Sequence, residues 1–185
     1  MNESPKHEYK AEGVTATLIV PPGYDNPESD VWDGVSGYTG EASISLEFIR
    51  GRGNSTWRAA KKPYKIKLDD KINLFGMGKN KHWALIANYY DTSLTVDRFV
   101  AWLGDQMGMP YTPRGVPVDL FMNGEYYGSY LLMEEVRVDS NRVDIEEVDK
   151  NASDPDSLDI TGDYLIGANC KPGACVHAVC RRSGG

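Results

Sequence analysis

The stretch GRGNSTWRAAKKPYKIKL, Gly51–Leu68, decides how the chain is read. It opens with two glycines flanking an arginine and closes on an alternating segment. Just before it, ASISLEFI (Ala42–Ile49) alternates as a strand, with Ile44, Leu46 and Phe48 on one side and Ser43, Ser45 and Glu47 on the other. Within it, YKIKL places Tyr64, Ile66 and Leu68 on one face and Lys65 and Lys67 on the other, because strand side chains alternate with a period of two. The unit is therefore strand–loop–strand, not the strand–loop–helix of a Walker loop.

Two readings of this unit are open. Gly51 and Gly53 let the backbone approach a ligand closely. Arg52 can hold phosphate oxygens with parallel donors, and Asn54, Ser55 and Thr56 add further donors. Lys65 or Lys67 on the next strand could meet the same phosphates, an order of parts shared with the nucleotide-binding lobe of protein kinases. The other reading is a hairpin turn whose lysines form a solvated face.

Outward from this unit the chain alternates between strands and one helix. VTATLIV (Val14–Val20) and HWALIANY (His82–Tyr89) read as strands. SLTVDRFVAWLGDQM is the one convincing helix. Its Val96, Phe99, Val100, Leu103 and Met107 fall at helical spacing as an apolar stripe. Asp91 or Thr92 can cap its start, and Gly108 and Pro110 end it. VPVDLFM, Asn123-Gly124 and YYGSYLLM then form a hairpin, because Asn-Gly tolerates the two positive φ angles of a type I′ turn. The fold class expected is α+β: a twisted, mainly antiparallel sheet with one main helix packed on it. Residues 1–40 supply an N-terminal strand and loop, and 41–145 the main lobe. Residues 146–185 form an acidic loop and an aberrant tail.

Composition narrows the function. Of 185 residues, 41% are hydrophobic and 25% charged, the balance of a globular domain, and the net charge is −7. Such a balance argues against a nucleic-acid partner, which needs a basic face, yet leaves room for a local anion pocket. No apolar run reaches the ~18 residues of a membrane span. MNESPKHEYK lacks the apolar core of a secretory signal, so the chain is expected to be cytoplasmic or a piece of a longer secreted protein. Cys170, Cys175 and Cys180 are odd in number and clustered, which is no disulfide framework. His7, His82 and His177 are scattered, and no metal-ligand spacing is present.

A strand lysine that binds phosphate needs an acidic partner, found in kinases on the following helix. Asp91, Asp97 and Asp105 are the candidates there, Asp91 being best placed if the helix start points at the nucleotide and otherwise a plain N-cap. YLLMEEVRV ends an apolar strand on Glu134 and Glu135. It is either the exit toward an adenine pocket or a strand edge with solvated acids.

Four segments taken together are more specific: GRGNSTW, KKPYKIKLDDK, LFGMGKNKHWALIANYYDTSL and YTPRGVPVDLFMNGEYYGSYLLMEEVRVDSNRVDI. In this order, over Ala42 to Ile145, they resemble the CotH family, the spore-coat H type of atypical protein kinase. The resemblance implies a divergent kinase fold that binds ATP with Mg or Mn and phosphorylates serines of spore-coat or surface proteins. Related domains occur in bacterial surface and polysaccharide-degrading systems. Arg52, Gly53, Asn54, Ser55 and Thr56 would then cover the phosphates. Lys67 is the first choice for the phosphate lysine and Lys65 the second. Glu134 and Glu135 would form the hinge, and Asp91 and Arg98 would do structural or lysine-orienting work.

The chain departs from the family pattern after TGDYLIG (Thr161–Gly167). The family continues into a C-terminal lobe with a catalytic and a metal-binding aspartate. Here ANCKPGACVHAVCRRSGG follows, which reads as a truncated or frameshifted end. The expectation is a nucleotide-binding lobe whose C-terminal lobe is absent, binding nucleotide weakly and inactive alone. The rival expectation is a non-catalytic coat or surface scaffold, with four tryptophans and eleven tyrosines available to bind protein or carbohydrate.

Overall fold

The structure, a computed structural model, describes residues 10–20, 40–145, 165, 169–171 and 174–176. The chain divides into two compact units, Met1–Glu135 and Val136–Gly185.

In the first unit six strands form one antiparallel sheet: β1 (Lys10–Val20), β2 (Gly40–Gly51), β3 (Tyr64–Asn73), β4 (Lys79–Ile86), β5 (Gly115–Met122) and β6 (Glu125–Glu134). Their order across the sheet is β1-β2-β3-β4-β6-β5. Helix α1 (Val96–Gln106) lies in the chain between β4 and β5. The α+β class expected from the sequence is therefore the class observed. The β5–β6 hairpin turns on Asn123 and Gly124, with φ of 53° and 81°, the signs of a type I′ turn.

The hydrophobic pattern sets which face is core. Ile44 and Leu46 of β2, Tyr64, Ile66 and Leu68 of β3, Trp83 and Leu85 of β4, and Tyr130 and Leu132 of β6 are all buried in one cluster. Leu74 and Met77, from the β3–β4 connection, join the same cluster. Trp83 has no exposed surface, and its indole N–H donates to the Asn80 carbonyl at 3.1 Å, so its polar end is satisfied. Burying each such side chain contributes about 1.5–3 kcal/mol.

One residue of the expected core face moves. The β2–β3 register shifts by one between Leu46, opposite Leu68, and Phe48, opposite Lys67. This is a β-bulge, with two residues of β2 facing one of β3. Beyond it Ile49 takes the core side opposite Ile66. Phe48 is left among cations, with Lys10 Nζ 5.1 Å and Arg50 Cζ 5.3 Å from its ring centre.

Helix α1 also differs from expectation in how it faces. Asp91 caps it from upstream: one carboxylate oxygen accepts the Val96 N–H at 3.0 Å, and the other accepts from the Ser93 N–H and hydroxyl. These bonds hold the Asp91 carboxyl below its ordinary pKa, the Ser93 hydroxyl contributing most. The apolar stripe, however, is exposed: Val96, Phe99, Val100, Leu103 and Met107 all lie in solvent, as does Trp102. The helix makes its close contact through a small residue instead. Gly104 is buried, and a Cβ there would lie 2.6 Å from Thr112 Cγ2 and 3.1 Å from Met109 Sδ. Only a face without side-chain bulk can approach that closely.

In the second unit Arg137–Val143 forms a tight turn. Arg142 and Asn141 donate backbone N–H groups to the Asp139 carbonyl and carboxylate, at 2.8 and 3.1 Å. Further along, β7 (Asn169–Lys171) and β8 (Ala174–Val176) pair antiparallel. The acidic stretch expected as a surface loop lies, from residue 146 to 163, outside the described residues, as do the residues around Cys180.

Candidate functional site

The Gly51–Pro63 loop is built on close approach. Gly51 sits under the Trp57 ring, where a Cβ would lie 2.6 Å from two ring carbons. Gly53 has φ +85°, and a Cβ there would lie 2.0 Å from Thr56 Oγ1. Trp57 is the middle residue of a short 3-10 turn (Thr56–Arg58) and meets Tyr64 edge-on at 6.3 Å. The Arg52 N–H donates to the Pro63 carbonyl at 3.1 Å, closing the loop at its base.

The far side of the loop is tied to β6. Lys62 Nζ donates to the Trp57 carbonyl at 2.6 Å and lies over its ring. Lys61 donates to the Ser129 carbonyl and lies 4.5 Å from the Tyr130 ring centre. The Tyr130 hydroxyl donates to the Lys62 carbonyl at 2.9 Å. Burial pushes that phenol up to about 12, so it remains a donor throughout the neutral range. These ties leave Asn54, Ser55 and Thr56 exposed at the tip.

The two lysines of YKIKL share a face of β3 but not an environment. Lys67, opposite the bulge, pairs with Glu47 at 2.5 Å, and the two side chains are 26% and 48% exposed. That pair draws the Glu47 carboxyl below its ordinary pKa, the Lys67 hydrogen bond being the main cause. Lys65 is only 12% exposed and meets Glu135, itself 22% exposed. One Glu135 oxygen accepts from Lys65 Nζ at 2.7 Å and the other lies 2.7 Å from the same nitrogen. His82 Nδ1 is 3.8 Å from Glu135.

Register explains the cluster. Trp83 pairs with Glu134, so Glu135 continues the ladder beside His82, and Lys65 and Lys67 pair with Ala84 and His82. All these side chains leave the sheet on the face opposite the core. Arg52 joins them from the loop. It is partly buried, and desolvation lowers its pKa against the opposing pull of Glu135 and Asp97. The result is a half-buried group of cations around one carboxylate.

Adjacent acids thus part across the sheet. Glu134 turns to the core side with a fully buried side chain. It accepts from the Arg114 N–H at 2.7 Å, from Arg114 Nη2 at 3.0 Å and from the Tyr111 hydroxyl at 3.3 Å. Arg114 also donates to the Met77 carbonyl at 2.7 Å and the Gly76 carbonyl at 3.3 Å, which ties the β3–β4 connection to the start of β5.

Of the residues singled out from sequence, Arg52, Lys65 and Glu135 come together. Gly53, Asn54, Ser55 and Thr56 form the adjoining loop. Lys67 lies one pair along β3 against Glu47, and Glu134 lies on the other side of the sheet. Asp91 is engaged by its own helix start. Two participants were passed over in the sequence. His82 was read only for metal spacing, although its alternation with the core residue Trp83 puts it on the lysine face. Asp97 ranked behind Asp91, although it is the helix acid that acts on Arg52. Among the described residues no group of three or more His, Cys, Asp or Glu side chains could hold a metal ion.

The family profile described as CotH kinase protein matches residues 49–171, about two thirds of the chain. The chain belongs to the CotH kinase protein family. The CotH match begins at the end of β2 and takes in the loop, β3 to β6, and every member of the Arg52–Lys65–His82–Glu135 cluster. It also runs past Ile145 as far as Lys171. No curated protein matches the chain, and no solved structure does. No helix among the described residues is long and apolar enough to cross a membrane.

Proposed function

We propose that this CotH chain is the nucleotide-binding part of an ATP-dependent protein kinase acting on serines of coat or cell-surface proteins, and that alone it binds nucleotide weakly. The observation that carries this reading is the half-buried Lys65–Glu135 pair on β3, with the desolvated Arg52 of the glycine-bounded loop feeling the same Glu135 charge. A fixed guanidinium and an ammonium, partly shielded from water, suit a polyphosphate better than surface lysines do. Lys65 is the phosphate lysine in this reading, with Lys67 at the pocket edge. The exposed Asn54, Ser55 and Thr56 donors close over the phosphates. When bound with Mg or Mn, ATP supplies the phosphoryl group for transfer. The protein's part is to hold the phosphate chain and keep its charge neutralised.

Thermal unfolding of the purified chain with and without ATP and Mg²⁺ tests this, because a ligand of the folded state raises the melting temperature by mass action. ATP should raise it, and K65M or R52A should abolish the rise. A native chain whose melting temperature ignores millimolar ATP with either metal overturns the reading. Incubation with labelled ATP and a serine-rich peptide then reports whether the chain transfers phosphate.

A second reading, a binding scaffold, is favoured by one feature. Phe99 and Trp102 on α1, and Phe121 and Tyr126 on the β5–β6 hairpin, are large aromatics more than half exposed. Stabilisation by a glycan or coat protein, with none by ATP, selects it.

A further inference from the structure

In a kinase-like lobe the phosphate lysine is held by an acid on the helix. The two acids at the start of α1 are committed elsewhere. Asp91 accepts from the N–H groups of Ser93 and Val96 and from the Ser93 hydroxyl. The charge of Asp97 favours the Arg52 cation. The carboxylate that holds Lys65 comes instead from the end of β6, with both Glu135 oxygens 2.7 Å from Nζ.

We infer that Glu135 is the positioning residue for Lys65, taking the part that a helix acid plays in other kinase-like lobes. This rests on the nucleotide reading above. Three physical points support it. A buried charge is costly unless it is paired, and Lys65, only 12% exposed, has its counter-charge in Glu135 at 2.7 Å. A carboxylate hydrogen-bonded to the ammonium at 2.7 Å restricts the direction of a flexible four-carbon side chain, so less entropy is lost when phosphate binds. Finally, the Glu135 charge also favours the Arg52 cation, against the desolvation that lowers its pKa. Glu134 cannot substitute, because the alternation of β6 sends it to the other face.

The test uses the full chain and compares ATP with adenosine, since Glu135 acts on the phosphate end alone. By calorimetry, E135Q should weaken ATP binding about tenfold and leave adenosine binding unchanged. K65M should do the same, and the double variant K65M/E135Q should bind ATP no more weakly than K65M, as expected when one residue acts through the other. A merely structural role for Glu135 would weaken both ligands together. E135Q binding ATP as tightly as the native chain, or more tightly, overturns the inference, because Glu135 would then be idle or a competitor for Lys65. A further loss in the double variant overturns it as well. Failure of the native chain to distinguish ATP from adenosine overturns the nucleotide reading itself, a result separable from the others. Should E135Q fold poorly, E135D keeps the charge and should retain most of the preference for ATP.

Discussion

Arg114 clasps Glu134 with its backbone N–H at 2.7 Å and its guanidinium at 3.0 Å, and the glutamate side chain is fully buried. The same guanidinium reaches the Gly76 and Met77 carbonyls. The pair therefore joins the β3–β4 connection, the start of β5 and the end of β6, the strand end from which Glu135 enters the pocket.

R114M takes the guanidinium from a buried carboxylate that keeps the residue-114 N–H and the Tyr111 hydroxyl, and should destabilise the chain by about 1.5–3 kcal/mol, the cost of a lost hydrogen bond to a charged group. Urea unfolding followed by tryptophan fluorescence measures it. A loss no larger than that of an ordinary surface substitution would show that the Glu134 site is wetter than described.

Gly51 has no room for a side chain. In G51A the new methyl meets the Trp57 ring, so the ring must move or the strand end must shift. Overpacking of this kind costs about 1–3 kcal/mol. Trp57 emission should change, and ATP binding should weaken with it because Arg52 is the next residue. Native emission with native binding would mean that the ring is free to swing aside.

Lys65 and Lys67 separate by experiment. The Lys67–Glu47 pair is partly exposed at the bulge, and pairs open to solvent contribute little. K67M should leave the unfolding midpoint unchanged and reduce ATP binding less than K65M does. The reverse ranking, read from calorimetric titrations of the two variants side by side, would move the phosphate lysine to Lys67.

The Asp91 cap has a pH signature. Its folded-state pKa is lowered, so between the folded and unfolded values the unfolded chain binds more protons. Stability then rises with pH. The contribution is complete above the unfolded-state pKa and disappears as pH falls through the lowered folded-state value. D91N lacks the charge at every pH. Amide exchange at Val96 and Asp97 should therefore be faster in D91N at neutral pH, after correction for intrinsic rates, and the difference should shrink in acid. A difference constant with pH would assign the cap to neutral hydrogen bonding.

The stripe on α1 lies in solvent, with Phe99 56% exposed. F99S should change stability by no more than about 0.5 kcal/mol, as surface substitutions do. It should also lower the fluorescence of an added apolar dye that binds exposed hydrophobic surface. A loss of several kcal/mol would show that the stripe is packed in solution.

Much of this architecture was open to inspection in the residues. The alternation of Tyr64, Ile66 and Leu68 against Lys65 and Lys67 assigned both faces of β3, and Asn123-Gly124 assigned the hairpin. The family motifs carried the rest of the fold class. Phe48 was misplaced because a bulge inserts one residue without any mark in the hydrophobic pattern. The α1 stripe was assigned to the core because periodicity reports that a helix has an apolar side, not what that side meets. Lys65 and Lys67 share a face, so the alternation leaves both open; Lys67 comes first only by the family resemblance.

The chain's own residue order, then, dictated the strands, the helix, the loop glycines and the set of cations that could meet an anion, because these follow from local periods of two and 3.6 and from turn chemistry. How each of those cations is buried and paired belonged to tertiary structure. Glu135 lies seventy positions from Lys65 in sequence, and only the β3–β4–β6 ladder brings them to 2.7 Å. Burial and pairing are properties of that assembled sheet face, so no local pattern could have told the more buried Lys65 from the more open Lys67.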